Sequence, residues 1–99
     1  MRYIKKYVDH IEDEIEGARE YAEEFVENKI KGDMRRANIY KDMASTELTH
    51  AMNIHEFAVQ DIEELKKVYT PPVDMLEKWE HAHKVALEQV ANIKQILSL

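Results

Sequence analysis

Along the first third of the chain the apolar residues return at seven-residue steps: Ile4, Ile11, Ala18 and Phe25 form one line, with Val8, Ile15 and Ala22 beside it. Such spacing puts them on one stripe of an α-helix and predicts a first helix over about residues 2–31. Lys31-Gly32-Asp33 ends it. A glycine readily takes the left-handed conformation just past a helix, and an aspartate caps the helix that follows.

The pattern then predicts a second helix over about residues 34–69. Its main stripe reads Ile39, Met43, Glu47, His50, Ile54, Phe57, Asp61, Leu65 and Val68, and a second apolar line runs through Leu48, Met52, Val59 and Ile62. A helix apolar on two sides is expected to be buried from two directions. The first helix covers one side, so a third helix or another subunit must cover the other. Thr70-Pro71-Pro72 breaks the second helix, since proline is tolerated only in a first turn. A third helix is predicted over about residues 72–98. Its stripe is Leu76, Trp79, His83, Leu87, Val90, Lys94 and Leu97, with Ala86 and Ile93 alongside. The expected fold is all-α, one domain over residues 1–99: a long antiparallel helical hairpin plus a third helix.

Composition agrees and narrows the function. The chain is 44% apolar and 34% charged, with two glycines and two prolines, a helix-rich balance. Long helices in 99 residues give a thin object with much surface for its volume, so a partner chain is expected to complete the core. There is no cysteine, which excludes disulfides, thiolate metal sites and cysteine nucleophiles. The net charge of −6, with the basic pairs Lys5–Lys6, Arg35–Arg36 and Lys66–Lys67 scattered, argues against nucleic acid and anionic membranes as partners. No stretch is long and apolar enough to span a bilayer, and no signal-peptide pattern opens the sequence. The expected location is the cytoplasm.

The chemistry lies in three ionisable residues on the predicted stripes. Glu47-x-x-His50 sits mid-stripe on the second helix. On the first, Glu14 shares the line Tyr7, Glu14, Tyr21, whereas its acidic neighbours from Glu12 to Glu27 belong mainly to a solvated face. Glu14 lies 18 residues before Gly32, and Glu47 and His50 lie 15 and 18 after it. In an antiparallel hairpin the three reach one level. Charged groups in apolar surroundings are costly unless paired. A metal centre pairs them well: carboxylates bridge hard or borderline ions, and imidazole adds a directional neutral donor. Metal ligands Glu14, Glu47 and His50 are therefore expected. The alternative is a buried Glu–His hydrogen bond or a Glu14–His50 ion pair, with no metal.

The other candidates read as structural. Counted from a corner near residue 71, His83 falls opposite residue 59, about 16 Å from the Glu47 level at 1.5 Å per residue. Glu80 and His83 are thus out of register with the site, and an Asp61–His83 contact is expected, with the third helix of a second chain reaching the site as the lesser alternative. His10, His55 and His81 read as surface or rim histidines, His10 lying nearest to Glu14. Tyr21 and Tyr40 read as packing with satisfied hydroxyls, and Met43 and Trp79 as core.

Glu14-x-x-Gly17-x-x-x-Tyr21, followed by Glu47-x-x-His50 with Ala51 behind it, resembles the ferritin-like superfamily of diiron-carboxylate proteins, rubrerythrin and ferritin among them. The resemblance covers about residues 3–69. It departs from the family in supplying one half-site, where the full site takes ligands from four helices. A two-fold dimer, similar to the short encapsulated ferritins, would complete it. The resemblance then implies a ferritin-like four-helix bundle made by dimerisation, in a homodimer or larger homo-oligomer. It implies two iron ions per dimer site, with manganese or zinc as alternatives, and oxidation of Fe(II) by oxygen or peroxide. A ferritin-like structural or adaptor module without catalytic activity is the competing expectation. A further one is a helical oligomer whose buried Glu and His only set register.

Overall fold

The structure is a computed structural model that describes residues 2–99, with side chains from Ile4 onward. It is all-helical: α1 (Arg2–Lys31), α2 (Met34–Val68) and α3 (Val73–Leu97). The elements match the predicted spans to within a residue at each end.

The α1–α2 corner is tight because Gly32 adopts φ 82°. The Gly32 amide donates to the Lys29 carbonyl at 3.1 Å and the Asp33 amide to the Asn28 carbonyl at 2.9 Å, the paired bonds of a Schellman turn. Asp33 also opens α2, its side chain accepting from the Arg36 amide at 3.1 Å. At the second corner Tyr69 is extended, and Pro72 stands at the N-cap rather than in the first turn.

The long helices pair along their length, and α3 lies mainly against α1, approaching α2 sparsely. The result is a rod of 55 × 18 × 17 Å. The α1 stripe is buried as expected: Ile4, Ile11, Ile15, Ala18, Ala22 and Phe25.

On α2 the core falls elsewhere than predicted. Ala37, Ala44, Ala51 and Ala58, a heptad of alanines at 0% exposure, pack with Leu48, Ile54 and Ile62. Of the expected main stripe, Ile54 is buried and Leu65 is partly so. Ile39, Met43, His50, Phe57, Asp61 and Val68 are exposed. The reason is steric. Small side chains allow close approach of two backbones, so the alanine line faces α1, and the larger residues are rotated to one flank. On α3, Trp79, Ala86, Val90, Ile93 and Leu97 are buried as predicted, whereas Leu87 is 41% exposed.

α3 covers one edge of the hairpin only. It lines a groove with Val8, Glu12 and Ile15 of α1, and another with Lys41, Leu48 and Met52 of α2. The opposite edge carries His10, Glu14 and Gly17 of α1, and Ile39, Met43, His50 and Phe57 of α2. No helix is long and apolar enough to cross a membrane among the described residues.

Candidate metal centre

Glu14, Glu47 and His50 meet on this uncovered edge, near mid-length of the rod. One donor atom from each lies within 4.8 Å of the others, and no other such group of three occurs among the described residues. The level predicted by counting from Gly32 is the level found. Their depth differs from expectation: they stand at the rim of the core, the Glu14 side chain 19% exposed and that of His50 49%. The alanine heptad that turns α2 toward α1 causes this.

Gly17 shapes the floor of the site. A Cβ at that position would stand 3.2 Å from Glu47 Oε2, closer than a carboxylate normally allows. The missing side chain leaves room for the Glu47 carboxylate beside α1. On α2, Glu47 and His50 are three residues apart and so project from one side of the helix.

The electrostatics are those of a crowded anionic pair. The Glu14 and Glu47 carboxylates stand close enough to act on one another, with one oxygen of each inside the 4.8 Å group. Hydrogen bonding to Glu14, then burial and the Glu14 charge, pushes the Glu47 carboxyl above the usual carboxylate range. The same hydrogen bonding, with help from the His50 charge, holds Glu14 below it. His50 Nδ1 lies 3.5 Å from Glu14 Oε2, and His10 Nε2 lies 3.4 Å from Glu14 Oε1.

The donor set suits a divalent cation. Two carboxylates supply negative charge and bridging oxygens, and the imidazole supplies a borderline nitrogen. A bound cation would favour the ionised form of both carboxylates, so binding would compete with protons. Three protein ligands also leave coordination positions open.

The remaining candidates resolve differently. Asp61 does not meet His83. It accepts a 2.5 Å hydrogen bond from the Tyr7 hydroxyl, which raises the Tyr7 pKa. His83 Nδ1 is hydrogen-bonded to His55 Nε2. The two rings stack at 4.6 Å, and His55 also stacks on Trp79 at 5.6 Å. The Asp61–His83 expectation fails because the extended 69–72 corner sets α3 nearer to residue 55 than to 59. His55 is therefore half-buried between α2 and α3, not a rim histidine. Burial, then the His83 charge, lowers its pKa. Glu80 and His83 stay away from the metal group, as their register implied. His81 is exposed. Tyr21 and Tyr40 pack together with ring centroids 6.2 Å apart.

Sequence reasoning missed the His55–His83 pair and the alanine heptad. The heptad was legible as Ala37, Ala44, Ala51 and Ala58, but large apolar residues dominate a hydrophobicity reading. Comparison with models of protein families, with curated proteins and with solved structures finds no match for this chain.

Proposed function

We propose that the chain is a ferritin-like metal-binding subunit that pairs with a second copy through its uncovered edge and oxidises Fe(II) there. The observation that supports this reading is the convergence of Glu14, Glu47 and His50 over the Gly17 gap, on a face that α3 leaves open. Two copies related by a two-fold axis would contribute four glutamates and two histidines to one site, and such an interface is self-complementary. Ile39, Met43 and Phe57, at 47%, 38% and 52% exposure, lie along α2 to either side of Glu47 and His50 and would be covered by the same contact.

In this reading Glu14 and Glu47 bind iron and offset its charge, and His50 fixes its position from one side. Each Fe(II) would give up one electron, so the two irons of a paired site would together reduce one dioxygen to hydrogen peroxide, or one hydrogen peroxide to two waters, with two protons drawn from solvent in either case. The two carboxylates would favour the more highly charged Fe(III) by electrostatics.

Anaerobic Fe(II) loading of the purified chain tests the reading, with iron per chain and particle mass measured before air is admitted. The expected result is about one iron per chain in a dimer or larger assembly, then fast growth of ferric absorbance; Glu47→Ala loses both iron and absorbance. A monomer that takes up no iron would overturn the proposal and leave a structural module.

A further inference from the structure

Glu14 has a neighbour on each of its oxygens. His50 and Glu47 approach from α2 on the inner side, His50 Nδ1 at 3.5 Å from Oε2. His10, one turn earlier on α1, approaches from outside, its Nε2 at 3.4 Å from Oε1. His10 is not part of the group whose donor atoms lie within 4.8 Å of one another. It reaches Glu14 but not the space where the donors of Glu14, Glu47 and His50 converge.

This matters because a glutamate is a loosely held ligand. It turns about three side-chain bonds and binds through one oxygen or both. A donor fixed on the outer oxygen removes that freedom and leaves the inner oxygen as the metal-facing atom. Partners of this kind, one bond removed from the metal, are worth ~10–100-fold in metal affinity. The His10 ring can serve in this way: its Nε2 stands in ion-pair range of Oε1, 3.4 Å away, and a proton on that nitrogen is present both in the imidazolium and in one neutral tautomer. The i, i+4 spacing on one helix sets the distance without help from any other element.

We infer that His10 is a positioning residue of the metal centre, holding the outer oxygen of Glu14 so that the inner oxygen faces the cation shared with Glu47 and His50. The inference rests on the metal-binding reading above and adds a residue to it. Since His10 also lies on the uncovered edge, pairing of two copies would shield the His10–Glu14 contact from water and strengthen it.

Anaerobic titration with Co(II) tests it. This ion does not oxidise in the assay, and its visible bands report ligand number and type. The proteins compared are the wild-type chain, His10→Ala, His10→Gln and Glu47→Ala. His10 is an exposed residue, so the helical circular dichroism of the variants should match wild type. The expected result is ~10-fold or greater weakening in His10→Ala. His10→Gln, whose amide N–H still reaches a carboxylate, should recover most of the affinity with wild-type bands. Equal affinity in wild type and His10→Ala would overturn the inference while the metal reading stands. Failure of Gln to restore binding, with altered bands, would overturn positioning in favour of direct ligation. Wild type and Glu47→Ala binding Co(II) equally poorly would remove the metal reading itself, and the inference with it.

Discussion

Gly17 sits within α1, where glycine is costly, yet its missing side chain makes room for Glu47. Replacing it with alanine separates the two effects. Alanine is ~1 kcal/mol better than glycine inside a helix, and the atom its Cβ would crowd is a carboxylate oxygen at 3.2 Å, the mobile end of a flexible side chain. Gly17→Ala is therefore expected to raise the thermal midpoint of the metal-free protein and to weaken metal binding several-fold. Calorimetry and Co(II) titration on the same sample check both signs. The convergence of Glu14, Glu47 and His50 was legible in the sequence because a tight corner fixes height: 18 residues to one side of Gly32 and 15 and 18 to the other leave little freedom. The contacts of His10 and His55 were less legible, because they depend on rotamers and on which helix packs where. Spacing put His10 near Glu14, but only the coordinates show its Nε2 at one carboxylate oxygen.

Each helix announced its ends through Gly32, Asp33 and the two prolines, and α1 announced its buried face. α2 did not, because two apolar lines and an alanine heptad compete for the core and only packing decides among them. α3 was misjudged in register by about a turn, since an extended corner has no fixed length in sequence terms. The consequence is that α3 meets α2 through imidazoles. Burial, then the His83 charge, holds His55 below the ordinary histidine value of about 6.5 in the folded chain, so the unfolded chain binds more protons there as pH falls. The stability this group contributes is complete above about pH 6.5 and is lost as pH falls through the lower folded value. His55→Phe keeps a ring on Trp79 and removes the titration. Urea denaturation at pH 7 and pH 5 should show a smaller loss of stability on acidification in this variant than in wild type.

At the scale of the molecule, a rod 17–18 Å thick has an edge that its own helices do not cover. Phe57 is 52% exposed there. Covering half of a phenylalanine, ~100 Å² of a side chain that buries 150–250 Å², is worth ~2.5 kcal/mol gross at ~25 cal/mol per Å². Two-fold pairing counts it twice. Phe57→Lys should leave the helical content of the single chain intact and shift the particle mass toward the monomer, with iron uptake falling in parallel; sedimentation and metal analysis read both. The one-sided placement of α3 has a further consequence, in the order of synthesis. Glu14, Glu47 and His50 all lie in the first fifty residues, and α3 packs against the other edge. Translation proceeds at roughly 5–20 residues per second, and helical pairs form in microseconds to milliseconds. The hairpin thus has time to close and bring Glu14, Glu47 and His50 together before α3 leaves the ribosome, and the later docking of α3 adds a brace without touching those three residues.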